Sequence, residues 1–299
     1  MRKKMRILPI IICLIIFFTS CGQAGFSDSS GSDDSQATGS NTGSEVITED
    51  ISTEDAVAEA STETQYYDEV FLENFSRALE ARWETTYPED DITFEEDLKY
   101  LKDCVDKEKA IIIDCRKEKF EDNELQEYAI AYLNGLDKQE ELLQSGLNKE
   151  LDEEEFYAEW EKAYMKRYKQ IISIYDNYDL KIDTKYIDNI NAIRNQVYLS
   201  EIGKDSFYNM LNGDVSFDDD VTVETGDDGL DTLKLVRKNN TNYEFKDLPI
   251  YLYIIDADNN KLVERIEYVV GDWKPGDEVV LTFKRTTKQE VNETIFLRP

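Results

Sequence analysis

Sixty-five aspartates and glutamates and not one histidine set the chemistry open to this 299-residue chain. Without imidazole there is no Ser-His-Asp or Cys-His catalysis, no histidine-ligated zinc and no ordinary general base near neutral pH. Carboxylates, Lys and Tyr remain. Two carboxylates ~5 to 9 Å apart are enough for glycoside hydrolysis, so a carboxylate-based hydrolase stays open as a reading. With so many acids the sequence designates no particular pair. Nor does it contain a Gly-rich phosphate loop or a Gly-x-Ser-x-Gly elbow. No catalytic residue is assigned.

Two acidic groupings have spacings that suit a hard cation. Asp256-Ala257-Asp258-Asn259-Asn260 with Glu267 at the twelfth position reproduces the carboxylate spacing of an EF-hand loop. The sixth position, however, is Lys261 where the loop needs Gly, and the flanks alternate like strands. A hairpin turn that uses Asp and Asn for their tolerance of left-handed φ is the expectation. Asp218-Asp219-Asp220 and Asp227-Asp228 are open to two readings, a weak cation site or a solvated linker. No metal site and no cofactor is assigned.

Aromatic residues offer a third chemistry. Tyr157, Trp160, Tyr164, Tyr168, Tyr175 and Tyr178 recur at steps of three and four, with Ile171 in series. An exposed stripe of this kind would stack sugars or peptide side chains, and a buried one is helix-packing core with hydroxyls at its edge. The second is expected.

Four cysteines complete the reactive groups. Cys104 and Cys115 would stand about 16 Å apart on one helix, against a Cα limit near 7 Å for a disulfide. Two reduced, buried thiols are expected, and a bridge requires a break in the helix between them. Cys13 lies in the apolar run Ile7 to Phe18, which follows Arg2, Lys3, Lys4 and Arg6. That run is twelve residues long, short of the ~20 needed to span a bilayer, so it reads as an export signal.

The run ends in Phe18-Thr19-Ser20-Cys21, which resembles the lipobox of bacterial lipoprotein signal peptides. Phe18 stands where Leu is usual, and Thr19-Ser20 where Ala or Ser then Gly or Ala are usual. The resemblance implies that residues 1–20 are removed and that Cys21 is lipidated, placing the protein outside the cytoplasm on the cell membrane. The chain after cleavage has 30 basic against 65 acidic residues, a net charge of −35. Such a surface disfavours nucleic acid, and membrane contact is expected through the anchor alone.

Four regions follow from composition and periodicity. Residues 21–64 are Gly, Ser, Thr, Asp and Glu with few apolar side chains, an acidic disordered tether whose root-mean-square reach is about 35 Å. Residues 65–213 carry helical periodicity. A first helix bears Phe71, Phe75 and Leu79 and ends near Tyr87-Pro88. A second opens on the capping box Thr93 to Glu96. The third is capped by Asp122 and stopped at Gly146, the fourth opens at Asp152, and the fifth begins near Asp183. An antiparallel helical bundle is expected. Residues 214–299 switch to short alternating or apolar runs separated by Asp-Gly, Asn-Asn and Pro-Gly turns, the pattern of a small β-sandwich.

In that last region Phe245-Lys246-Asp247-Leu248, Ile250 to Asp256, Leu262-Val263-Glu264 and Trp273 to Glu278 resemble the FxLYD-type immunoglobulin-like domain of bacterial envelope proteins. Ile255 replaces the aromatic of the family's aromatic-Asp pair, and Asn260 its turn Gly. The resemblance implies an interaction module and brings no catalytic residues. The sequence therefore predicts an α+β protein, a helical bundle followed by an immunoglobulin-like sandwich, that serves as a membrane-anchored binding or envelope-interaction module. Its partner would be an envelope protein or a cell-wall component. The alternatives are a carboxylate hydrolase of cell-wall glycan and small-ligand capture between the two folded regions.

Overall fold

The computed structural model describes residues 66–88, 92–112, 114–213, 221–288 and 293–299. Cys21, the leader, the tether and Asp218-Asp219-Asp220 lie outside these residues. The described chain is α+β, with six α-helices followed by two three-stranded antiparallel sheets.

The helix starts follow local chemistry. Helix α1 spans Asp68–Trp83, α2 Phe94–Ile111, α3 Asn123–Leu147, α4 Glu153–Asn177, α5 Ile187–Ile202 and α6 Lys204–Asn212. At α2 the Thr93 hydroxyl accepts the Glu96 N–H at 3.3 Å and the Glu96 carboxylate accepts the Thr93 N–H at 2.7 Å. Asp152 and Glu155 repeat this reciprocal cap at α4, and Asp122 accepts from Glu124 and Leu125 at α3. These partners satisfy amides that the first helical turn leaves open.

Helix α3 ends at Leu147, one residue after Gly146, and Lys149 beyond it has φ of 62°. Gly146 is buried, and an added Cβ there would come 3.1 Å from Leu98 and 3.2 Å from Phe156. Its small size serves close packing. Gly203, with φ of 87°, follows the end of α5, and α6 is a sixth helix beyond the five expected from the sequence. The first helix ends at Trp83, before Tyr87-Pro88.

Two apolar cores occupy the helices. One gathers Phe71, Phe75, Leu125, Tyr132, Leu136, Ile171 and Ile190, the other Leu98, Leu101, Val105, Leu143, Phe156 and Trp160. Between them on α2, α3 and α4 stand buried polar residues. Glu108 falls between Val105 and Ile112, Gln139 between Leu136 and Leu142, and Arg167 between Ala163 and Ile171. A buried carboxylate requires paired donors, and Glu108 has four contacts. It accepts from Arg167 at 3.0 and 3.1 Å, from Arg82 at 2.7 Å, and from the Tyr132 hydroxyl.

The first sheet runs β1 (Val221–Thr225), β2 (Asp231–Lys238), β5 (Glu278–Lys284), and the second β4 (Lys261–Val270), β3 (Leu248–Asp256), β6 (Glu293–Arg298). Leu233, Leu235, Leu281 and Phe283 from the first meet Leu248, Ile250, Leu252, Ile254 and Leu297 from the second in one core. Helix α6 joins that core through Phe207 and Leu211, both fully buried. Further bonds tie helices to sheets. Asn195 donates to the Lys246 carbonyl at 2.7 Å, Asn191 to Asp247 at 3.2 Å, and the Tyr243 hydroxyl to Glu201 at 2.9 Å.

Candidate interaction face

Strand β3 is apolar on both sides, and this places a face on the molecule that the core does not use. Leu248, Ile250, Leu252 and Ile254 point into the core, so the period of two sends Pro249, Tyr251 and Tyr253 outward. Register brings their cross-strand partners to the same side: Val269, Glu267 and Arg265 on β4, and Arg298 and Phe296 on β6.

Tyr251, Tyr253, Phe296, Arg265 and Arg298 make ring and guanidinium contacts. The Tyr253 and Phe296 rings lie 5.2 Å apart and 2° from parallel. The Arg265 guanidinium carbon sits 3.9 Å from the Tyr251 ring centre and 5.9 Å from that of Tyr253. Arg298 lies 5.3 Å from Phe296 and 5.9 Å from Tyr253. The Tyr251 hydroxyl donates to Glu267 at 3.2 Å, and burial together with the Glu267 charge pushes its pKa up. Each cation–π contact contributes about 0.5–1 kcal/mol. Two arginines on one apolar face, in a chain of net charge −31, make a locally cationic aromatic surface.

The residues singled out by sequence lie elsewhere. Tyr157 and Trp160 are 2% and 3% exposed and belong to the second helical core, so the aromatic stripe of α4 is packing and not a stacking platform. The Tyr157 hydroxyl donates to Asp97, a carboxyl whose pKa is raised by burial and, more weakly, by Glu153. Asp97 is 3% exposed, among Phe94, Phe156 and Tyr157.

Asp256 spends its carboxylate on its own turn, accepting from the N–H groups of Asp258 and Asn259 and the Asn259 amide. Those bonds, led by the Asn259 amide, hold its pKa below the ordinary range. The EF-hand spacing is thus the chemistry of a hairpin turn. Asp228 likewise accepts from the Leu230 N–H and meets Lys284 at 3.4 Å. Among the described residues no group of three or more Cys, Asp or Glu could hold a metal ion. A surface depression of about 550 Å³ beside the hairpin carries Lys261 and Lys288 opposite Asp256 and Glu293, all from the sheets.

Cys104 and Cys115 are free and buried, as expected. Burial pushes the Cys115 thiol up to about 11, which keeps it protonated and unreactive at neutral pH. The sequence reading missed Tyr251, Tyr253, Phe296, Arg265 and Arg298. Its available signal was the run Ile250-Tyr251-Leu252-Tyr253-Ile254-Ile255, in which an apolar residue stands at every position instead of every second one. Among the described residues no helix is long and apolar enough to cross a membrane. No family model, no curated protein and no solved structure matches this chain.

Proposed function

We propose that this protein is an extracytoplasmic lipoprotein, anchored through a lipidated Cys21, that binds an envelope component on the outer face of its second sheet. In this reading the helices are an antiparallel bundle that carries a C-terminal immunoglobulin-like sandwich, and residues 21–64 tether both to the membrane. The carrying observation is β3, whose outward Tyr253 stacks with Phe296 beside Arg265 and Arg298, with Tyr251 buried under Arg265. Apolar rings provide contact area and the guanidinium edges provide direction, the combination found at the centres of binding surfaces. The ligand that fits is anionic, since forked guanidinium groups pair best with carboxylate or phosphate.

The test compares the native chain with the Arg265→Gln, Arg298→Gln double variant for co-sedimentation with isolated cell-wall material and for crosslinking in intact membranes. Native protein should be retained and the variant released, at equal thermal stability. Equal retention of both proteins sinks this assignment of the face.

A further inference from the structure

Asn212-Gly213 is one of two Asn-Gly steps in the chain, the other being Asn134-Gly135 inside α3. Such a step carries a reaction of its own. The glycine nitrogen can attack the asparagine Cγ because no Cβ beside it blocks the approach. A Cγ–N bond forms, the Cγ–Nδ2 bond breaks, and Nδ2 leaves as ammonia with the proton of the glycine N–H. Water then opens the cyclic imide at either carbonyl and leaves aspartate or isoaspartate. Asparagine is a thermolabile residue for this reason.

With β6 in place both reacting groups are occupied. The Asn212 Nδ2 donates to the Tyr208 carbonyl at 2.9 Å and to the Leu297 carbonyl at 2.9 Å, and Oδ1 accepts the Leu297 N–H at 2.8 Å. The Gly213 N–H donates to the Asn209 carbonyl at 2.7 Å. Attack therefore requires the amide to leave Leu297 and the Gly213 nitrogen to leave Asn209. That opening is local. Gly213 is exposed, with φ of 66° where glycine is at ease, and among the described strands β6 pairs only with β3. An edge held on one side by a single strand opens at lower cost than a core. Asn134 lacks such a gate, because Gly135 is buried in mid-helix, where an added Cβ would come 3.3 Å from the Arg167 Cβ.

The product does not close again. A carboxylate at position 212 has no N–H to give, so both Nδ2 donations are lost and its oxygens face the carbonyls of Tyr208 and Leu297. Acceptors set against acceptors in a partly buried place are unfavourable.

We propose that Asn212 is a deamidation site gated by β6: the reaction proceeds when β6 lifts from the end of α6, and its product holds that edge open. Strand β6 carries Phe296 and Arg298, so modification also loosens the outer face of the second sheet. The consequence for ligand retention rests on reading that face as a binding surface, and the modification itself does not.

The experiment ages the purified full chain in warm, mildly alkaline buffer and follows aspartate and isoaspartate at positions 212 and 134 by peptide mapping. Modified molecules are separated by ion exchange on the charge they gain, and hydrogen exchange is read in both fractions. The Leu297 amide should exchange at least roughly tenfold faster in molecules modified at 212. Leu297→Ala loosens β6 without touching the Asn-Gly step, and should raise the rate at 212 by roughly tenfold or more while leaving that at 134 unchanged, since the rate follows the open population. Low urea does the same for the native chain without a substitution, and should speed 212 at concentrations that leave 134 and the far-UV signal unchanged. No modification at 212, acceleration at both steps together, or full protection of Leu297 in modified molecules overturns the proposal. Retention on cell-wall material is scored separately: a chain modified at 212, open at β6 and still retained counts against the face as the binding surface and supports the gated site.

Discussion

The side-chain amide of Asn212, the last residue of α6, pairs with both backbone groups of Leu297. Its Oδ1 accepts the Leu297 N–H at 2.8 Å and its Nδ2 donates to the Leu297 carbonyl at 2.9 Å. Strand β6 is at the edge of its sheet, and Asn212 takes the place that a neighbouring strand would fill at Leu297. A helix end thus closes a sheet edge that would otherwise present unpaired groups to another chain.

Asn212→Ala should therefore act in two ways. Loss of two bonds to a partly buried edge should lower stability by about 1–3 kcal/mol in denaturant unfolding. The opened edge should also raise the tendency to self-associate, read by sedimentation velocity. A variant as stable and as monomeric as the native chain would show that the pairing contributes nothing.

Glu108 is 0% exposed and is shared by Arg82 and Arg167. Glu108→Gln leaves two guanidinium groups facing a neutral amide and should cost about 3–5 kcal/mol. The triple change Arg82→Met, Glu108→Leu, Arg167→Met removes the charges together and should cost far less, because no buried charge is stranded. Urea melts of both proteins decide this; equal losses would mean that the layer matters for shape and not for charge pairing.

Two carboxyls should give stability slopes of opposite sign. Burial raises Asp97 above its ordinary 3.8, so the folded state holds a proton that the unfolded chain has released, and stability falls as pH rises from about 3.8 through the raised folded value. Asp97→Asn should consequently be more stable than the native chain at neutral pH, by about 1.4 kcal/mol for each unit of the elevation, and should match it below pH 3.8. Glu264 is the reverse case. Burial opposes its charge, but bonds from Thr286 and Thr287 outweigh burial and lower it from 4.5. Its contribution is present above pH 4.5 and is lost as pH falls through the lowered value, so Glu264→Gln should be destabilising at pH 7 and lose its effect in acid. Melting temperatures from pH 3 to 8 test both signs.

Cys21→Ala should move the protein from the membrane fraction to the medium or leave it unprocessed. On the proposed lipidation, two acyl chains would bury many CH₂ groups at ~0.8 kcal/mol each, an anchor that Ala cannot carry. Fractionation by immunoblot is the measurement, and an unchanged membrane fraction refutes the anchor.

The candidate face was half legible in the sequence. The run from Ile250 to Ile255 shows that β3 is apolar on both faces, and nothing in it states which residues of other strands lie beside it. Arg265 and Arg298 are 33 residues apart in the chain and both meet Tyr253 because β4 and β6 flank β3 with a definite register. The aromatic stripe of α4 misleads in the opposite direction. Helical spacing places Tyr157 and Trp160 on one face, and only the packing of α2 and α3 against that face decides that it is closed.

By itself the sequence determined what depends on neighbours along the chain. The caps at Thr93, Asp122 and Asp152 and the Asp256 turn all act over three positions, and helical or strand period follows from the placement of apolar side chains. Tertiary structure decided what depends on distant pairs: Glu108 with Arg167, Asn212 with Leu297, Arg265 with Tyr251. Gly146 shows the division in one residue. A glycine near a helix end reads as a stop, and α3 does end one residue on at Leu147, but Leu98 and Phe156 approach Gly146 so closely that its lack of a side chain also serves packing.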